Sequence, residues 1–202
     1  RRAFDRDRRF GGNEVIDRRA GIPITLSVLY LELGWRIGLP LQGVSFPGHF
    51  LVQLPLRDGM LVLDPFSSGA ALSADALRAL LKRVVQGAGR SDDTIDALPL
   101  SAFLEPATKR DILARVLRNL RSIYHEQTDT LRELEVLDRL VVVQPEDHAV
   151  LRDRGLAFYQ LEAYRAALED VREYLACVPD ASDARQLRAL LVELTQRCAK
   201  LN

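Results

Sequence analysis

Apolar residues recur every three or four positions from Ile24 to Ile37, at Leu26, Leu29, Tyr30, Leu33 and Ile37. That is the period of an α-helix. Ile22-Pro23 opens it, because a proline's missing N–H costs nothing in a first turn, and Gly38-Leu39-Pro40 stops it. The run is apolar on most sides, so the helix is expected to be central. Upstream, Asn13 is placed to cap a short helix that carries Val15 and Ile16 and ends at Gly21. Downstream the pattern changes to short runs of β character at Gln42 to Phe46, His49 to Leu54 and Met60 to Asp64. Pro47-Gly48 and Arg57-Asp58-Gly59 are the turns between them, so the runs predict a small antiparallel sheet. Ser73 then caps a helix from Ala74 to Gln86, with Leu77, Leu80, Leu81 and Val84 on one face.

Polar and glycine-rich residues follow, and Pro99 and Pro106 lie beyond them, so residues 87–107 are read as the linker region. Past Thr108 no strand pattern occurs. Helices are predicted at about 108–126, 130–143, 147–160, 164–177 and 181–199. The fold class is therefore α+β, with a helix and small antiparallel sheet over residues 1–100 and an all-α region over 101–202. The first twelve residues have neither period, and are read as an arm anchored by Phe4 and Phe10.

The helical half repeats. Pro145 and Pro179 lie 34 residues apart, each closing an amphipathic helix pair. Leu151, Gly155, Phe158, Tyr164, Ala167, Tyr174 and Pro179 resemble the tetratricopeptide pattern, with small residues at the close helix crossing and aromatics wedged between helices. Residues 114–145 fit the same frame through Leu117, Leu120, Tyr124, Leu137 and Leu140, and depart from it at Arg121, where the pattern wants glycine. The resemblance implies a groove for a protein or peptide partner. Arg115, Arg118, Ser122 and His125 would face it with Asn119 alongside, and an arginine pair beside an asparagine suits a peptide carboxylate.

Composition narrows the partners. The 202 residues carry 28 basic and 28 acidic side chains, for a net charge of zero. Cutting at residue 107 leaves 13 basic and 12 acidic residues before the cut and 15 and 16 after it, so no basic lobe is hidden by an acidic one. Nucleic acid and anionic membrane are thus not expected as partners, because phosphate contacts would demand excess positive charge. With only Cys177 and Cys198, and no apolar run of membrane-spanning length, the chain reads as cytoplasmic. The histidines His49, His125 and His148 are far apart in sequence, and neither Gly11-Gly12 nor Gly87-Ala88-Gly89 makes a phosphate loop. No metal or cofactor is expected. Nothing in the pattern fixes an oligomeric state.

One constellation carries catalytic chemistry. His49 follows the Pro-Gly turn, and Asp64 ends a strand that a hairpin would bring back beside it. A carboxylate orienting an imidazole is two parts of a nucleophilic triad. Thr25 and Ser27 lie in the first turns of the central helix, where a hydroxyl nucleophile would sit near helix N-terminal amides. The order Asn13 to Ser27, then Phe46-Pro47-Gly48-His49-Phe50, then Leu63-Asp64-Pro65-Phe66, resembles the SirB-type bacterial family. Those proteins join a transglutaminase-like, papain-related domain to C-terminal tetratricopeptide repeats, and the resemblance extends to regulation of a virulence-gene regulator's expression. It would place a nucleophilic cysteine at about Pro23, where a helix N-terminus favours the thiolate. No cysteine precedes Cys177. The resemblance therefore implies a pseudo-transglutaminase: a non-catalytic interaction protein that binds a partner at the repeat groove or the relic cleft. The alternative is a hydrolase or acyl-transfer enzyme that uses Ser27 or Thr25 with His49 and Asp64.

Overall fold

The computed structural model describes residues 15–17, 21–87 and 98–200. The arm, Asn13 and most of the glycine-rich part of the linker lie outside them. The chain divides into two compact units, the first ending at Val116 and the second starting at Leu117.

In the first unit, helix α1 (Pro23–Arg36) precedes a four-stranded antiparallel sheet in sequential order: β1 (Gln42–Val44), β2 (Leu51–Leu56), β3 (Gly59–Asp64) and β4 (Ala70–Leu72). Helix α2 (Ala74–Gly87) follows. Alternation along the strands sends Val44, Leu51 and Val62 to one sheet face, where they pack with Leu77, Leu80 and Leu81 of α2. Phe50 and Val52 turn to the other face and meet Ile24 and Leu31 of α1. This two-sided burial follows from the period-2 geometry of strands.

Helix α1 is less enclosed than its pattern predicts. It buries Ile24, Ser27, Leu31 and Gly34, while Leu33 and Ile37 stay 53% and 75% exposed. A helix lying on one sheet face covers only one stripe of itself. No sequence pattern predicts strand β4, because Ala70-Ala71-Leu72 has no β-branched residue. Its register opposite Val62 to Asp64 is set by the turn before it. There Ser68 and Gly69 are left-handed, and Gly69 donates its N–H to the Asp64 carbonyl at 2.9 Å. A side chain at Gly69 would strike the Tyr30 hydroxyl of α1.

Residues beyond the expected boundary at 100 belong with the first unit. Leu100, Phe103 and Leu104 join the core on the α2 side, and Pro106 bridges Val44. Ile112 and Val116, early in helix α3 (Lys109–Glu126), join the α1 side. Their partners lie some 60 to 90 residues away in sequence, which local composition does not reveal.

The second unit is helical: α4 (Thr130–Val143), α5 (His148–Gln160), α6 (Tyr164–Cys177) and α7 (Ala184–Lys200) follow the later turns of α3. Its repeat is visible in backbone torsions. Thr128 and Glu162, 34 apart, are left-handed at φ 57° and 59°. Gln144 and Val178 end their helices at φ/ψ −133°/69° and −132°/70°, each just before a proline. Both torsions lie outside the helical region, which a following proline disfavours for the residue before it. Gly155 sits where α5 crosses α6: a Cβ there would lie 2.9 Å from Val171 Cγ2.

Candidate functional site

Of the four candidate triad residues, Thr25, Ser27 and Asp64 spend their side-chain hydrogen bonds on other groups. Thr25 accepts the Ile22 N–H at 3.1 Å and returns its own proton to the Ile22 carbonyl at 3.0 Å, closing the first turn of α1. Ser27 is fully buried and donates to the Phe50 carbonyl at 3.0 Å, which brings the second turn of α1 against the residue after His49. His49 is half-buried, and its N–H closes the Pro47-Gly48 turn on the Phe46 carbonyl at 3.0 Å. That turn holds His49 two residues ahead of β2. Gly48 permits it, with φ 71° and Val84 Cγ2 only 2.6 Å from where a Cβ would lie.

Asp64 is 5% exposed, and both its oxygens serve its own loop: Oδ1 accepts the Phe66 N–H at 2.9 Å and Oδ2 the Ser67 hydroxyl at 2.8 Å. Among the described residues no hydrogen bond joins His49 to Asp64, Ser27 or Thr25. The register that sets Val52 opposite Leu63 carries Asp64 beside Leu51, two residues past His49. Pro23 is the first residue of α1. Among the described residues no group of three or more His, Cys, Asp or Glu side chains is placed to hold a metal ion.

A second site lies wholly within the helical unit. A cavity of about 350 Å³ is lined by Arg118, Arg121, Ser122 and His125 of α3, with Leu140, Asp147, Ala149, Val150 and Asp153 opposite. The four α3 residues are spaced i, i+3, i+4, i+7, which is one face of a helix. Of the four residues expected to bind peptide, Arg118 and Ser122 line the cavity. Asn119 is half-buried beside them, and Arg115 belongs to the first unit.

An ion-pair network supports this face. Arg121 donates through Nε to Glu133 at 3.3 Å and through Nη1 to Asp153. His125 Nδ1 lies 3.1 Å from Glu133 Oε2; a carboxylate only accepts, so Nδ1 carries the proton. Arg152 joins Asp153 to Asp183, with Nε–Oδ1 at 2.9 Å and Nη1–Oδ2 at 3.1 Å. Arg154 takes Asp170 in a fork at 2.7 and 2.8 Å, and Asp138 at 3.0 Å. The Asp170 hydrogen bonds hold the Arg154 guanidinium above its usual range, outweighing burial.

Arg121 and Glu133 were not among the expected site residues, yet each left a trace in the sequence. Arg121 stands 34 residues before Gly155, in the slot for a small residue. Glu133 shares the buried stripe of α4 with Val136, Leu137 and Leu140, and its counterpart in the next repeat is Ala167. Two misfits in one repeat copy are each other's partners.

The profile of the Transglutaminase-like superfamily matches residues 6–118, and that of the Tetratricopeptide repeat matches residues 120–192. A UPF0162 protein of Xylella fastidiosa (strain Temecula1) is 42% identical over 183 residues, covering 91% of this chain and 63% of that protein. A UPF0162 protein of Pseudomonas aeruginosa is 32% identical over 180 residues, covering 89% and 63%. Protein SirB1 of Salmonella typhimurium is 26% identical over 178 residues, covering 88% and 63%. The chain thus spans under two thirds of the length of these relatives.

Proposed function

From the premise that the chain belongs to the Transglutaminase-like superfamily, with UPF0162 and SirB1 homologues over most of its length, we propose that it is a non-catalytic interaction and regulatory protein. In this reading the first unit keeps a transglutaminase-like frame without a cysteine nucleophile, and the tetratricopeptide-like helices bind an acidic segment of a partner protein. The observation that carries the reading is the α3 face. Arg118, Arg121, Ser122 and His125 line one cavity, opposite the apolar Leu140, Ala149 and Val150 and the paired carboxylates Asp147 and Asp153. Charged donors converging beside apolar surface suit a peptide that offers a carboxylate and a hydrophobic neighbour. The hydroxyls of Ser27 and Thr25, spent on backbone carbonyls, favour this reading over hydrolysis.

The test is the binding of a labelled pentaglutamate peptide to the whole chain, by fluorescence anisotropy across a salt series. Binding should weaken as salt rises and disappear in Arg118→Glu. Binding unchanged in that variant would remove the cavity from the function.

A further inference from the structure

Four arginines of the second unit, Arg118 and Arg121 in the cavity lining and Arg152 and Arg154 on α5, differ in how many carboxylates they hold. Arg121 holds Glu133 and Asp153; Arg152 holds Asp153 and Asp183; Arg154 holds Asp138 and Asp170. Arg118 holds Asp147 alone, through Nη2 at 2.8 Å, and among the described residues its Nε and Nη1 make no hydrogen bond. A guanidinium has two forked faces. In the other three arginines two carboxylates share them, whereas in Arg118 one is engaged by a single bond.

Asp147 is unusual in its own right. It stands at the N-cap of α5, where an aspartate ordinarily accepts a hydrogen bond from the first turn. Asp129 does so at the start of α4, accepting the Arg132 N–H at 3.2 Å. Asp147 makes no such cap bond and reaches across to Arg118 instead. Its carboxylate is given to the arginine at the expense of the helix.

Building on the acidic-segment reading, we propose that Arg118 is the residue that recognises a partner's carboxylate, and that Asp147 is its positioning residue. Asp147 holds the guanidinium on one side so that the other faces the cavity. One carboxylate of the partner, from a side chain or a chain end, then completes the two-acid arrangement that Arg121, Arg152 and Arg154 already have. Ser122, exposed one turn further along α3, is placed to donate to the same group.

The proposal makes an electrostatically counterintuitive prediction. Asp147→Asn removes a negative charge next to the site, so attraction alone would tighten an acidic ligand. Positioning demands the reverse. With the pentaglutamate peptide and the whole chain, Asp147→Asn should loosen binding about three- to fivefold, the worth of a weak exposed ion pair. Arg118→Lys keeps the charge but not the fork, and should loosen it about tenfold, as for one charge-assisted hydrogen bond lost. Since Asp147 caps nothing, far-ultraviolet circular dichroism and melting should stay near wild type. Binding that is equal or tighter in Asp147→Asn, or equal in Arg118→Lys, overturns this proposal. If Arg118→Glu still abolishes binding, the acidic-segment reading survives that failure. If the wild-type chain does not bind the peptide at all, both fall. An amidated peptide compared with the free acid then tells a chain-end carboxylate from a side-chain one.

Discussion

At the scale of single residues, the pair Arg121 and Gly155 shows one backbone position used in two ways. Gly155 allows α5 to lie against α6, and Gly155→Ala would put a methyl against Val171 and Asp170. Alanine is worth about 1 kcal/mol more than glycine inside a helix, while overpacking against a stiff β-branched side chain costs about 1–3 kcal/mol. Clash should win: a net loss of about 1 kcal/mol, read by urea denaturation. Arg121, in the same slot one repeat earlier, instead neutralises Glu133 and Asp153, whose side chains are 8% and 11% exposed. Arg121→Ala would leave Glu133 with His125 as its remaining side-chain partner. The expected loss is about 3 kcal/mol, the lower end of the range for breaking a buried pair. Glycine would have been legible as a repeat residue; an arginine becomes legible only with its acids, which come from α4 and α5.

At the scale of elements, the predicted helix limits from 109 onward and the observed ones agree to within three residues at every end. The physical reason is that proline, aspartate and the turns at Thr128 and Glu162 punctuate each helix locally. The sheet was harder to delimit. His49 and Phe50 have strand character, but the tight turn at Gly48 delays β2 to Leu51; β4 exists only because β3 is beside it. The candidate site divides along the same line. Arg118, Ser122 and His125 share a face by helical spacing alone, whereas the commitments of Asp64 and Ser27 to a loop and to Phe50 depend on tertiary packing. The repeat also exposes a flaw. Gln144 ends α4 with a buried Oε1 that finds no partner among the described residues, while its counterpart Val178 packs into the core of the unit at almost identical torsions. Gln144→Val should therefore raise stability by about 1 kcal/mol, because it removes an unsatisfied buried group. A lower unfolding midpoint would refute that.

For the whole molecule, a net charge of zero conceals strongly organised charge, since Arg118, Arg121, Arg152, Arg154 and Arg197 of the second unit each meet an aspartate or glutamate at 2.7–3.3 Å. The consequence is a broad stability plateau in pH. Burial, together with the Asp183 hydrogen bond, raises the Tyr174 hydroxyl above its ordinary 10.0, and the Glu193 bond raises that of Tyr159. A group raised on folding contributes stability below its unfolded value and loses it as pH climbs through the folded one, so melting temperature should fall above about pH 10. Glu193, lowered from 4.5 by Tyr159 and then Arg197, has the opposite sign: its contribution is present above that value and is lost as pH falls. Thermal melts across pH should show both limbs, and Tyr174→Phe should flatten the alkaline one. An alkaline limb unchanged by that variant would disprove the assignment.

The matching joints at Thr128 and Glu162 have a consequence for how such a gene can change. Neither is glycine, yet both hold a left-handed backbone near φ 58°, so the joint is conserved as an angle while its residue varies. An insertion or deletion of 34 residues hands the next helix the orientation its predecessor had. Any other increment turns that helix and its apolar stripe away from the stack. Length in this half of the chain should therefore evolve in whole steps, as coins of a single denomination, with nothing viable between them.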